Sequence, residues 1–184
     1  MSELIVVPLD NSDGIIREAK LIDLKYIVHL SKIESTCLGF IPKMAYESAI
    51  TGIKTGKRWS NICNDKMWVC ECNGDLVGFV LASFGRAGNK KQGKIAQICI
   101  QEDARLINRG RILLDAVISH GKSVNTFGFS CGCADDLPSN FFWKLMGWQK
   151  VGARKGRSHK NTWEDSKKGR TVNLYKYDEF DLFQ

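Results

Sequence analysis

Seven residues, Arg105 to Arg111 (R-L-I-N-R-G-R), gather three arginines around one glycine. They follow the apolar run Ile95–Ile100 and precede a stretch with Ile112, Leu113, Ala116 and Val117 at helical spacing. A strand feeding a helix through such a turn offers unpaired backbone N–H groups and the positive end of the helix dipole, which together bind phosphate. Gly110 would let the backbone approach an anion closely, and Arg105, Arg109 and Arg111 would add fixed charge. The same residues also fit an ordinary strand–helix connection with solvated arginines. There is no G-x-x-x-x-G-K-[ST] and no G-x-G-x-x-G, which argues against P-loop and Rossmann nucleotide binding.

A second cluster lies near the C-terminus. Lys144 to Lys176 holds ten basic and two acidic residues, a local +8, while the rest of the chain sums to −1. One segment therefore supplies the whole excess of the +7 net charge, which suggests a polyanion or anionic-substrate surface. Within it Trp163 stands among Arg154, Lys155, Arg157, His159, Lys160, Lys167, Lys168 and Arg170. Basic residues with an interleaved aromatic can track a phosphate backbone and stack a base; a charged loop with one packed tryptophan is the plainer reading. Cys70/Cys72 and Cys131/Cys133 are spaced so that each pair faces one side of a strand and could ligate a metal. The cysteine total is seven, an odd number, which favours reduced intracellular thiols over a disulfide framework.

The elements that must position these residues follow from periodicity and breakers. Ile15–Ala19 reads as a strand, and Asp23 can cap a helix carrying Leu24, Ile27, Val28 and Leu30. A loop, Cys37–Pro42, leads into a second helix over Met44–Lys54, limited by Gly52 and Gly56. Met67–Cys72 and Leu76–Phe84 are strands joined by Asn73-Gly74-Asp75, a strong hairpin signal. Ile95–Ile100 is a strand, and the arginine turn opens a helix. Thr126–Ser130 is a strand, and Asp136 or Ser139 can cap a short helix holding Phe141, Phe142 and Leu145, with both phenylalanines expected in the core. Trp148–Ala153 and Thr171–Tyr177 are the last strands, and Leu4–Val7 could add one at the edge. The order predicts a mixed α/β fold with one central sheet.

At 184 residues the chain is expected to form a single domain, with 1–13 as an extension and 154–170 as a basic loop. Its 43% hydrophobic and 26% charged composition excludes a disordered or low-complexity chain. No apolar run approaches the roughly 18 residues of a membrane span, and Met1-Ser2-Glu3 does not open a secretory leader. A cytoplasmic protein, monomer or homodimer, is expected.

Taken in order, these pieces resemble the GNAT family of acetyl-CoA-dependent N-acetyltransferases. Its Q/R-x-x-G-x-G/A pyrophosphate turn is matched by Arg105, Asn108 and Gly110, followed by Ile112-Leu113-Leu114. Ile16-Arg17-Glu18-Ala19 with Asp23 is similar to the family's opening strand and helix, Gly74–Phe79 to its second hairpin, and Phe142-Trp143-Lys144-Leu145-Met146-Gly147-Trp148 to its late F-Y-x-K-L-G-F segment. The resemblance spans about residues 14–177. It implies a mostly antiparallel sheet of six to seven strands, split between the fourth and fifth and flanked by four helices. It also implies acetyl-CoA as co-substrate, an amine acceptor and direct attack on a thioester. Backbone N–H groups near Ile98, Cys99 and Ile100 would stabilise the oxyanion. Arg105, Asn108, Arg109, Gly110, Arg111 and Ile112 would hold the pyrophosphate. Phe40 would line the acceptor side, or pack in the core. Arg154, Arg157 and Trp163 would meet an acidic or polyanionic acceptor. In that topology the two cysteine pairs are about 14 Å apart, too far to share one zinc, and no metal is expected.

The chain departs from the family in its proton-transfer groups. Asn108 replaces the first motif glycine, and asparagine tolerates left-handed backbone. Trp143 replaces the tyrosine that often protonates the leaving thiolate, and an indole cannot supply a proton at neutral pH. Gln97 stands where many relatives carry a glutamate base, and Asp136 where an asparagine precedes that tyrosine by seven residues. Three readings follow. Transfer runs by proximity with solvent carrying the proton; or Asp135, Asp136, Cys131 or Tyr175 has taken over; or transfer is lost or altered. Asp136 is the candidate base, with a helix N-cap as its alternative role. Two alternatives from other classes share the fold. One is a nucleic-acid-binding or DNA-base-modifying protein of the phage adenine-modification type, using the basic segment 154–170. The other is a CoA-binding module without catalysis.

Overall fold

Asn73 and Gly74 take φ values of +52° and +87°, the paired positive values that a two-residue hairpin turn requires. They join β2 (Asp65–Cys72) to β3 (Asp75–Ser83). The computed structural model describes residues 14–53, 64–85, 92–105, 108–156 and 169–178. The Leu4–Val7 run, Gly56, His159, Arg157 and Trp163 lie outside the described residues.

The chain divides into two compact units, residues 1–126 and 127–184. In the first, β1 (Ile15–Glu18), β2, β3 and β4 (Gln92–Ile100) pair antiparallel in that order. Helices α1 (Leu24–Ile33) and α2 (Lys43–Thr51) precede β2, and α3 (Arg109–Ser123) follows β4. Ile27, Leu30, Tyr46, Met67, Val69, Phe79, Leu81 and Cys99 belong to one buried cluster, so α1 and α2 pack on one face of this sheet. The middle of β2, Met67 to Cys70, is buried at every residue, so both of its faces are covered. Elsewhere in the unit Trp68, Phe84 and His120 pack together edge-to-face or tilted, with Phe84 and His120 ring centroids 4.8 Å apart. Burial and nearby Lys66 lower the His120 pKa against the pull of Glu18.

In the second unit β5 (Gly128–Ala134), β7 (Thr171–Asp178) and β6 (Gln149–Lys155) pair antiparallel in that spatial order. The short α4 (Ser139–Leu145) packs on β5 and β6. The described residues thus form seven strands and four α-helices in the expected sequence, a mixed α/β fold whose pairings within each unit are all antiparallel. No helix among them is long and apolar enough to cross a membrane.

Three local expectations are corrected. Asp23 does not cap α1. It closes a 3-10 turn, Leu21–Asp23, where its carboxylate accepts the Lys20 N–H at 2.7 Å and two Arg17 hydrogen bonds at 2.7 and 3.0 Å. Neither Asp136 nor Ser139 caps α4, whose preceding residue is Pro138 with no side-chain cap. Phe141 is 71% exposed and Leu145 66%, because a seven-residue helix buries one narrow stripe and Trp143, 5% exposed, occupies it. Phe142 is half-buried.

Candidate functional site

β4 carries an extra residue. Leu81 opposes Gln97 while Ala82 opposes Ile95, which leaves Ala96 as a bulge. Bulges twist a strand and re-aim its side chains, and they are over-represented near active sites. Toward its end β4 comes very close to β3. A Cβ built on Gly78 would meet the Cys99 carbonyl oxygen at 2.6 Å and the Ile100 side chain more closely still. Side chains alternate here. Gln97 and Cys99, paired with Leu81 and Phe79 of the buried cluster, lie on the face beneath α1 and α2, whereas Ile98 and Ile100 on the opposite face are half-buried. Burial pushes the Cys99 thiol up to about 12, with Glu34 adding to the rise, so it is neutral.

Beyond β4 a 3-10 turn, Glu102–Ala104, brings the chain to Asn108. Asn108 adopts φ +37°, left-handed, directly ahead of α3. The first bond of the helical ladder is Ile112 N–H to Asn108 O, so the N–H groups of Arg109, Gly110 and Arg111 lie ahead of it. The three arginines sit differently. Arg105 donates to Ile100 O (3.0 Å) and to Glu34 Oε1 (2.7 Å), tying the turn to β4 and to the end of α1. Arg109 is 7% exposed and donates to Ala104 O (3.0 Å) and Cys72 Sγ (3.2 Å). Arg111 is well exposed and reaches Asp115 Oδ2 at 3.8 Å. Two of the three charges therefore also build the turn, and Arg111 is the one most open to solvent.

Gln97 is 5% exposed, and its carboxamide is used at both ends. Oε1 accepts the Tyr46 hydroxyl at 2.7 Å, and Nε2 donates to the Gly39 carbonyl. Nearby, Tyr26 donates to Gln101 Oε1 at 3.3 Å. Burial raises the pKa of Tyr46, although hydrogen bonds to Ser31 and Gln97 pull the other way. Phe40, next to Gly39, is 77% exposed. Sequence reasoning missed this tie between β4, α2 and the 37–42 loop. Its one signal was a polar residue inside the apolar run I-A-Q-I-C-I.

In the second unit Asp136 lies exposed in the turn after β5. Arg170 donates to its two oxygens at 2.6–3.1 Å and holds the carboxyl below the usual carboxylate range. Trp143 packs tilted against Trp148 (4.7 Å between ring centroids) and edge-to-face with Phe142 (5.2 Å). Tyr175, 1% exposed, donates to Asn140 Oδ1 at 2.9 Å, and burial raises its pKa. Asn140 is saturated: Oδ1 also accepts Asn173, and Nδ2 donates to Ala134 O and Leu137 O. Cys131 and Cys133 are each 5% exposed, with Cys133 Sγ 3.2 Å from Ser139 Oγ. Asp135 anchors the turn through its N–H to Thr171 O. Arg154 is exposed on β6. Among the described residues no cluster of three His, Cys, Asp or Glu side chains could hold a metal ion.

The model of the acetyltransferase (GNAT) family matches residues 36–148. No curated protein matches the chain in sequence. Solved structures similar to it include Ard1 from Thermoplasma volcanium, at TM-score 0.65 and 16% identity, covering 90% of this chain and 97% of that one. The ribosomal-protein-S18-alanine N-acetyltransferase from Escherichia coli has TM-score 0.61 and 14% identity, covering 89% and 92%. NAA60 from Arabidopsis thaliana, solved with a bisubstrate analogue, has TM-score 0.66 and 15% identity, covering 89% and 96%. At such identities these likenesses concern the fold.

Proposed function

Because the chain belongs to the GNAT acetyltransferase family, we propose that it transfers an acetyl group from acetyl-CoA to an amine of an acidic or polyanionic acceptor. The observation that carries this reading is the turn 105–112. Asn108 supplies the left-handed residue, and the backbone N–H groups of Gly110 and Arg111 stand ahead of the α3 ladder, donors that fit a pyrophosphate. Arg111 adds an exposed charge, while Arg105 and Arg109 hold the turn in shape. Bound there, acetyl-CoA supplies the acyl donor: an amine N–C bond forms as the thioester C–S bond breaks.

This chain's own residues do the rest. Backbone N–H groups near Ile98, Cys99 and Ile100 stabilise the developing oxyanion. Gln97 cannot take the amine proton and Trp143 cannot return one, so proximity does most of the work; solvent protonates the departing thiolate, and the amine proton needs an acceptor. Asp136 is the candidate acceptor for that proton, kept ionised by Arg170. The exposed Arg154 of β6 and the basic segment that follows it, with Arg157 and Trp163, favour an anionic acceptor, nucleic acid included.

The packing of Trp143 and the engagement of Gln97 favour a second reading, a CoA-binding module that transfers nothing. One experiment separates them. Acetyl-CoA at about 100-fold its Kd should add about 2.7 kcal/mol of stability and raise the Tm by several degrees, and Gly110→Glu should remove that rise. CoA release measured with a panel of free-amine peptides then tests transfer: binding without release supports the module, and no Tm rise at millimolar acetyl-CoA overturns both.

A further inference from the structure

Gln97, 5% exposed, is buried in a row of apolar side chains, opposite Leu81 (2%) and two residues before Cys99 (7%). A carboxamide in such a row is unfavourable unless both of its ends are bonded. Both are, and the partners come from two other segments: Tyr46 of α2, and the Gly39 carbonyl of the loop before it. A neutral carboxamide is suited to this double role because it accepts a hydroxyl and donates to a carbonyl at once. A carboxylate could only accept. Within the loop Leu38 and Ile41 pack against the buried cluster, while Gly39 and Phe40 between them are exposed. Its ends are tied elsewhere, by Cys37 and Leu38 N–H to Glu34 O and by Ala45 N–H to Pro42 O.

We propose that Gln97 is a positioning residue, a latch that acts with Tyr46 to hold the 37–42 loop and its Phe40 in one geometry for the acceptor. The acceptor role rests on the acyltransferase reading above; the latch itself does not. The position therefore tunes acceptor binding instead of abstracting a proton. The titratable and charged groups around it are Tyr46 of α2, Tyr26 of α1, Cys99 of β4, and Glu34, Cys37 and Arg105 at the rim. Burial raises the pKa values of Tyr26, Tyr46 and Cys99. These groups are common to the wild type and Gln97→Glu, so the wild-type profile is the control.

Amide hydrogen exchange on the full chain, corrected for intrinsic rate, tests the latch. In Gln97→Glu the 37–42 amides should exchange about tenfold faster than wild type at pH 8, where the carboxylate faces the Gly39 carbonyl. They should return toward wild type at pH 5, where a protonated carboxyl again donates. The β2–β3 hairpin amides should not change. Wild-type exchange in Gln97→Glu at pH 8, or an equal gain at both pH values, overturns the proposal. If Gln97→Glu does not fold, Tyr46→Phe decides. Faster 37–42 exchange over an unchanged hairpin supports the latch, and unchanged exchange overturns it.

For the peptide amine that the wild type acetylates fastest, Gln97→Glu should raise KM about tenfold at pH 8 and change kcat less than about threefold. A fall in kcat at constant KM would overturn the positioning role. A wild type that acetylates no peptide would sink the acyltransferase reading, and exchange alone would then judge the latch.

Discussion

β2 and β6 are both strands of seven or eight residues, yet they live in different surroundings. Met67, Trp68, Val69 and Cys70 of β2 are buried on both faces. In β6 all residues but Gly152 are exposed, and Lys150, Arg154 and Lys155 carry positive charge. The first unit builds an interior in which Gln97 and Asp23 are buried with their polar atoms bonded. The second displays charge along a strand with little to bury. The lesson is a division of labour: the first unit holds backbone geometry around β4 and the turn to α3, and the second presents an electrostatic surface.

The largest effect should separate the two strand environments. Phe79→Ala, at a wholly buried ring on the β3 partner of β2, should cost about 3–5 kcal/mol, read as a fall in denaturant midpoint. Val151→Ala in β6, 53% exposed, should stay within about 0.5 kcal/mol. Equal losses would erase the comparison.

The next effect probes the buried ion pair. Asp23 is 3% exposed, and burial alone would raise its pKa, but Arg17 and the Lys20 N–H hold it below the ordinary carboxylate range. Its folded pKa is depressed, so its contribution is present above the unfolded value near 4 and is lost as pH falls through that range. Asp23→Ala should cost about 3 kcal/mol at pH 7 and flatten stability between pH 5 and 2. An unchanged acid profile would show that the pair is not the acid-labile element.

A smaller loss is expected at the polar hub of the second unit. Asn140→Ala strands the Tyr175 hydroxyl and the Asn173 amide, for about 2 kcal/mol by chemical denaturation. A cost under about 0.5 kcal/mol would mean that water replaces the hub. The smallest effect falls on the surface charge. Arg154→Glu should leave the Tm nearly unchanged while weakening binding to single-stranded DNA and flattening its salt dependence by about one to two phosphate contacts. Salt-insensitive or absent binding in the wild type would remove nucleic acid as the acceptor.

Much of the fold was legible because its signals are local. Asn73-Gly74 encodes positive φ in two adjacent residues, and Gly52, at φ +70°, ends α2 where a breaker was read. Asn108 was legible for the same reason, as an asparagine where left-handed backbone is needed. What failed depended on how separate elements pair and pack. The helix-cap role of Asp23 gave way to Arg17, held within β1 beside Glu71 of β2. Phe141 read as core because a phenylalanine at a helix start usually is; only the packing of Trp143 against Trp148 left it outside. The site divides in the same way, since the turn 105–112 is contiguous while the Gln97 tie reaches 58 residues back to Gly39.

Sequence alone determined the family, the order of strands and helices, the arginine-rich turn ahead of α3 and the concentration of positive charge near the C-terminus. Each of these is written in residue type and short spacing, where backbone sterics and charge act without a distant partner. Tertiary structure alone decided which polar groups remain chemically free. It placed Gln97 between a tyrosine and a carbonyl, put Arg109 into the turn's own framework and left Asp136 at the surface beside Arg170. Whether a polar side chain is a reagent or a strut depends on what surrounds it once water is excluded, and only folding settles that.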